Sequence, residues 1–377
     1  MLLSSVLSLK SQGDPLADAA LNDYQQAQPD VQALLEQGMR QGVSVTAGLP
    51  ESFRQLLQDC EAAVLSVPAK EIDLAMQPYT SIGPTWLSIA LGPGSLAHTY
   101  SDPGIAAVLM RTGNLLSETV SRRLLETQLW KISVIKPGGL ALGGSGYVHT
   151  LQVRLLHARV RATLLQRGWV SADGRQAVPI DQWQMLRTWL DFTVVPFEAF
   201  DRIGLTLTHE QTQRLYDAWR VVGHLLGIDS TLLSKVTDHT VALELLKMVD
   251  AQLPEPDESS RVLTQAMLGA LGNRLAPVLK YPVDVSVMLM ASLCRLFHGN
   301  ELADRLGAQS NWTEALLPMM ADANRFRMRR IEDEPAYRDN IQAQSLKAFD
   351  AIEAGLPDGT AYQEMAKSLA TTDLPSL

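Results

Sequence analysis

The sequence predicts an all-α protein, a large single-domain helical bundle, and three observations lead there. Apolar residues recur at helical spacing from one end of the chain to the other. The period-two alternation of strands, with its paired turn dipeptides, is hard to find. Short polar residues followed by acids sit where the first amides of a helix need acceptors, as in Ser101-Asp102-Pro103-Gly104, Thr208-His209-Glu210 and Asn311-Trp312-Thr313-Glu314.

In chain order, the spacing predicts helices over 14–41 with a break at Pro29, then 51–67, 85–96, 104–134, 147–167 and 179–203. Further helices are expected over 208–226, 238–252, 259–275, 283–298, 312–330 and 334–354. The glycine-rich segment from Pro137 to Gly146 separates two helices and follows no strand, so it lacks the context of a dinucleotide-binding turn. Leu253-Pro254-Glu255-Pro256-Asp257 is a sharper break. It divides a helical core over 14–252 from a C-terminal helical portion, 253–377, packed on that core.

Composition narrows the function classes. In 377 residues, 46% are hydrophobic and 19% charged, the profile of a globular chain with a large core. Thirty-two basic against forty-one acidic residues leave a net charge of −9, which repels phosphate backbones and argues against non-specific nucleic-acid binding. Two distant cysteines, Cys60 and Cys294, build neither a disulfide framework nor a zinc site, and are expected to be buried free thiols. The start, MLLSSVLSLKSQGD, has too short and interrupted an apolar run for a secretory segment, so a cytoplasmic location is expected. The most apolar stretch elsewhere, Val285 to Phe297, is too short to span a bilayer and contains Arg295, so no membrane span is expected.

Polar residues on apolar faces carry the functional reading. In GYVHTLQVRLLHARVRATLLQRG, His157 shares a face with Val153, Val160 and Leu164, and Arg154 and Arg161 project from the same side, one turn before and one turn after it. A buried imidazole between two guanidiniums is costly unless something neutralises them. An anionic cofactor whose metal takes the imidazole and whose carboxylates take the arginines meets both demands, and heme fits. The alternative is a core histidine bonded to a carbonyl, with both arginines reaching solvent. On the preceding helix, NLLSETVSRRLLETQLW, Arg123 and Thr127 share a face with Leu116, Val120 and Trp130, with Glu126 beside them; a surface ion pair and a solvated arginine would give the same pattern.

RRLLET, followed by VRLLHARVR with His157 thirty residues after Thr127, resembles the paired signature of the latex-clearing-protein and MpaB-type oxygenase family. The similarity extends through VPIDQWQMLRTWLDF and LTLTHEQTQRLYDAWRVVGHLLGIDSTLL, and so covers roughly Asp14 to Gln252. The resemblance implies an all-α fold enclosing a heme b pocket, with His157 as the proximal iron ligand and Arg123 and Thr127 on the heme-pocket helix. Arg154 and Arg161 then fall where propionate partners are wanted, and Glu126 and Thr127 are the candidate catalytic residues. Two departures matter. Glu126 stands where rubber-cleaving members carry a lysine, and Ala107 falls near the position of their glutamate base. Rubber cleavage is therefore not an implication for this chain.

The expected activity is oxygenation of a small, largely apolar substrate with dioxygen, because the pocket helices contribute mostly Leu, Val, Met and Trp. Two alternatives stay open: a heme protein that does not oxygenate, such as a peroxidase-like, sensing or carrier protein, and a cofactor-free helical binding module. Metal hydrolysis is disfavoured, since the seven histidines show neither HExxH nor Glu-x-x-His spacing.

Overall fold

A computed structural model describes residues 9–24, 30–112, 117–171, 177–355, 360 and 363, and among them there are helices and turns but no strands. The N-terminal part contributes α1 (Pro15–Tyr24), α2 (Asp30–Gln41), α3 (Glu51–Leu65) and α4 (Ala69–Ile82). Next come α5 (Pro84–Ile89), a π-helical segment (Ala90–Leu96), α6 (Ala97–Tyr100), α7 (Pro103–Thr112), α8 (Ser117–Ile135) and α9 (Ser145–Gln166). The rest is α10 (Gln182–Arg202), α11 (His209–Leu225), α12 (Ser230–Leu233), α13 (His239–Asp250), α14 (Glu258–Leu279), α15 (Val283–Arg305), α16 (Leu317–Asp333) and α17 (Pro335–Ala354). The expected caps form: Asp102 accepts from the amide of Gly104, Thr208 closes a capping box with Gln211, and Asn311 closes one with Glu314.

One cluster of buried apolar side chains runs from Ala17 in α1 to Phe349 in α17. The proline-rich break after Leu253 ends α13 and precedes Asp257, which caps α14, but the core continues across it: α14 packs on α8 and α17 on α4. Cys60 and Cys294 are buried free thiols, pushed up to about 12 by burial.

Three elements differ from the sequence expectation. The predicted helix over 104–134 is two helices, α7 and α8; residues 113–116, Leu116 among them, lie outside the described residues, as does Pro29. α4 was not predicted, because Pro78 lies inside it and reads as a breaker. The predicted helix over 85–96 changes to π geometry at Ala90, where Gly92, Pro93 and Gly94 interrupt the ordinary ladder.

The glycine-rich segment sets up the site by turning α9 straight back on α8. A Cβ on Gly139 would lie 2.0 Å from the carbonyl oxygen of Ser133 and one on Gly146 2.5 Å from it, so only glycine permits the approach. The two helices then meet side by side, with the Trp130 indole N–H donating to Thr150 Oγ1 at 3.0 Å. Among the described residues no single helix is long and apolar enough to cross a membrane, though α14 and α15 together, bent by 115°, have the length and composition.

Candidate functional site

α9 carries the candidate ligand. Its neighbours Val160 and Leu164 are buried with Val108 of α7 and Trp169, and Ala107 packs against the same small cluster. His157 therefore stands where α7 approaches α9. Its Nδ1 is buried with no hydrogen-bond partner, and no hydrogen bond to the ring occurs among the described residues. Burial, helped by the nearby Arg161 and only partly opposed by Asp14, holds the imidazole down at about 4. It is neutral at pH 7, the form that ligates a metal.

The flanking arginines are neutralised from within. Arg154 grips Asp14 with two donors, Nε to Oδ2 at 2.6 Å and Nη2 to Oδ1 at 2.9 Å, while Nη1 reaches Cys60 Sγ at 3.3 Å. Arg161 holds Asp18 through Nε and Nη2, the latter at 2.8 Å, and gives Nη1 to the carbonyl of Ile180 at 2.7 Å. The pressure that the sequence placed on an anionic cofactor is thus met by two carboxylates one turn apart, at the entry to α1 and within it. Local periodicity could not show this, because the partners lie 140 and 143 residues away.

α8 is built differently. Arg123 donates to the carbonyl of Leu109 at 3.3 Å and has no carboxylate in ion-pair range among the described residues. Burial lowers its affinity for the proton, and the Tyr100 phenol, itself pushed up to about 12, opposes that. Thr127 returns its hydroxyl to the carbonyl of Arg123 at 2.9 Å. Glu126 is buried, and its carboxylate takes the Nε of Arg122, one turn back, at 3.0 Å. One turn beyond Thr127 lies a residue that sequence reasoning missed: Lys131, 4% exposed, whose amine faces the rings of Trp219, Tyr79 and Phe192 at 4.9, 5.3 and 5.7 Å from their centres. Burial alone brings it down to about 7. A lysine on an apolar helical face was the available signal.

A second polar cluster, around His98, is closed. His98 Nδ1 meets Asp191 at 2.7 Å and Nε2 meets Asp250 at 3.2 Å, and Arg187 bonds both carboxylates at 3.0 and 3.2 Å. Burial works against the charge, but the two carboxylates carry His98 up to about 9. This network ties α6 to α10 and α13 and leaves no donor free for a ligand. A groove of about 470 Å³ between α4, α11 and the C-terminal helices contains none of the candidate residues. No three-residue cluster able to hold a bare metal ion occurs among the described residues.

The family described as "ER-bound oxygenase mpaB/B'/Rubber oxygenase, catalytic domain" matches residues 84–327, from α5 into α16. The chain belongs to this family. The matched span takes in Arg123, Glu126, Thr127, Arg154, His157 and Arg161, and runs across the proline-rich break without interruption. A rubber oxygenase from Streptomyces sp. (strain K30) is 22% identical over 283 residues, which is 74% of this chain and 66% of that protein. The solved structure of "Latex Clearing Protein LCP in the closed state" superposes with a TM-score of 0.66 at 20% identity, covering 90% of this chain and 89% of that one. At that identity the likeness establishes the all-α fold.

Proposed function

We propose that this member of the family is a heme b-dependent oxygenase that acts with dioxygen on a small, largely apolar substrate. The observation that carries the reading is His157: a neutral imidazole with a buried nitrogen that no protein group satisfies. An orphaned nitrogen of this kind suits an iron ligand. Arg123, a half-buried guanidinium with only a carbonyl for a partner, suits an anionic edge of the same group. Arg154 and Arg161 do not fit as propionate partners, because Nε and both terminal nitrogens of each already bond within the protein.

Bound heme would supply the dioxygen chemistry. The chain's own residues do the rest: His157 holds the group from α9, Arg123 and Thr127 present polar atoms from α8, and the Val160, Leu164, Val108 and Trp169 cluster excludes water. Glu126, paired with Arg122, stands one residue from Thr127 as the nearest carboxylate able to take a proton in this stretch of α8. Ala107 offers no base on α7.

The satisfied Arg154 and Arg161 pairs favour one rival, a cofactor-free helical module in which both arginines are held by the chain's own carboxylates. Titration of the purified protein with hemin tests both readings. A saturable Soret band that requires His157 supports the heme part of the reading, dioxygen consumption with candidate apolar substrates then separates an oxygenase from a heme protein that does not oxygenate, and absence of the band supports the rival.

A further inference from the structure

An aromatic file crosses the core away from the candidate site. Trp130 of α8 lies three residues past Thr127 and is tied to α9 through Thr150, seven residues before His157, or about 10 Å along a helix axis. Its ring centre is 6.2 Å from that of Trp219. The Trp219 carbonyl accepts the indole N–H of Trp189 at 2.8 Å, and the Trp189 ring centre is 6.3 Å from that of Tyr216. Trp130 is 7% exposed, Trp189 2%, and Trp219 and Tyr216 not at all, so the file is dry. It ends in a relay: the Tyr216 hydroxyl is 2.9 Å from His239 Nδ1, and His239 Nε2 is 2.9 Å from Glu198 Oε1. There the file reaches water, with the His239 and Glu198 side chains 28% and 37% exposed.

We propose that Trp130, Trp219, Trp189 and Tyr216 form an electron-transfer chain that carries an oxidising equivalent from the heme pocket to the surface, with His239 and Glu198 taking the tyrosine's proton. The inference rests on the heme reading above for its source of oxidant, a strong one-electron oxidant formed in that pocket when peroxide is reduced there in the absence of substrate. One electron leaves Tyr216 and passes through Trp189, Trp219 and Trp130 to that oxidant, which is reduced by one. The phenolic proton moves to His239 Nδ1, and the Nε2 proton moves to Glu198, leaving a neutral tyrosyl radical, a neutral imidazole and a carboxylic acid. A soluble one-electron reductant, ascorbate or a thiol, returns an electron and the proton goes back.

The parts match the task. Tryptophan and tyrosine are readily oxidised by one electron, and ring centres 6.2 Å apart at Trp130–Trp219 and 6.3 Å apart at Trp189–Tyr216, linked by the Trp189 N–H bond to the Trp219 carbonyl, keep the path short. A phenol is protonated at neutral pH and burial pushes Tyr216 further above its ordinary value, so the group must shed its proton as it is oxidised. His239, the first residue of α13, is the only group bonded to that hydroxyl among the described residues, and it is itself oriented by Glu198 of α10. A packing role alone would not require the phenol, the imidazole and the carboxylate to line up.

The test uses the full chain in two forms. Heme-loaded protein is mixed with hydrogen peroxide and freeze-quenched, and electron paramagnetic resonance is recorded for the wild type, Tyr216→Phe, Trp219→Phe and His239→Gln. The expected result is a tyrosyl signal in the wild type that is lost in Tyr216→Phe at unchanged heme content, and reduced in the other two. Heme-free protein, in a Trp312→Phe background that removes the exposed indole outside the file, is oxidised with azidyl radicals by pulse radiolysis, which remove an electron from tryptophan. There the indolyl absorbance should decay into tyrosyl absorbance in the wild type, at a rate independent of protein concentration, and persist in Tyr216→Phe. Failure to take up heme would sink the reading on which the oxidant rests and leave the radiolysis to judge the chain. Heme uptake with radical signals that are the same in Tyr216→Phe and the wild type, in both forms, would overturn the chain and leave the heme reading standing.

Discussion

Two helices packed side by side bury cations by opposite means. On α9, Arg154 and Arg161 are matched by Asp14 and Asp18, so the charges close inside the protein. On α8, Arg123 leans on the Leu109 carbonyl with the charge of Glu126 nearby, and Lys131 on three aromatic rings and the Phe192 carbonyl at 3.4 Å; neither has a carboxylate in ion-pair range among the described residues. Unbalanced buried charge is expensive, so a fold tolerates it where it is lowered by proton loss, as at Lys131, or where something else arrives to meet it. The difference gives Arg154 and Arg161 a structural explanation, and on the proposed reading leaves Arg123 as the cation open to a ligand. His157 belongs with α8 in this respect although it sits on α9, since its buried nitrogen is left unpartnered.

The largest effect should come from opening a closed pair. Asp14→Asn leaves Arg154 buried without its main counter-ion and should cost about 3–5 kcal/mol of unfolding free energy in chemical denaturation. Heme affinity per folded molecule should stay the same; a variant that folds normally and loses heme instead would erase the contrast between the helices. Arg161→Ala should cost less, because Asp18 is partly open to water.

The pH dependence separates the two histidine environments. His157 is held below its ordinary value, so the folded state binds fewer protons than the unfolded one between about pH 6.5 and 4. Its contribution is complete above that window and lost as pH falls through it, by about 1–3 kcal/mol. His98 has the opposite sign: its pairing contributes fully below about pH 6.5 and is lost as pH rises toward 9. In heme-free protein, His157→Gln should make the acid limb of the stability curve shallower, with His149 and His298, also held down by burial, keeping their share, and should leave the alkaline limb alone. An unchanged acid limb would show that the imidazole is not desolvated as the structure has it.

Arg123→Ala is expected to leave the fold intact and to speed heme loss, by the about 1.5–3 kcal/mol of one charge-assisted contact. An unaltered off-rate would move Arg123 out of the site. The smallest effect belongs to Glu126. Its partner Arg122 is 46% exposed at the side chain, so Glu126→Gln should cost under about 1 kcal/mol in stability. If Glu126 faces the heme, that variant should shift the pH dependence of the ferric bands; a titration superimposable on the wild type would confine the residue to its pair with Arg122.

Much of this was legible in the sequence because helices announce themselves locally. The face that joins His157 to Val160 and Leu164 can be read from spacing, and the order of RRLLET and VRLLHARVR pointed to the family before any geometry. What could not be read was set by distance or by broken rules. Asp14 meets Arg154 across 140 residues, and Tyr216 meets His239 across the loop and short helix between α11 and α13. α4 hid behind Pro78, a residue that helices normally exclude. The arginines flanking His157 need anions, and Asp14 and Asp18 of the same chain supply them.

Heme ligation by His157 is tested most directly by one set of absorbance spectra: wild type and His157→Ala, each incubated with hemin, recorded as prepared, after dithionite reduction and after carbon monoxide. The expected result is a Soret band in the wild type that shifts on reduction and again with carbon monoxide, and no specific heme band in the variant, whose far-ultraviolet circular dichroism is unchanged because the Val160 and Leu164 face remains. A wild type that never acquires a Soret band, or a variant whose spectra match it, would contradict the assignment of His157 as the iron's ligand.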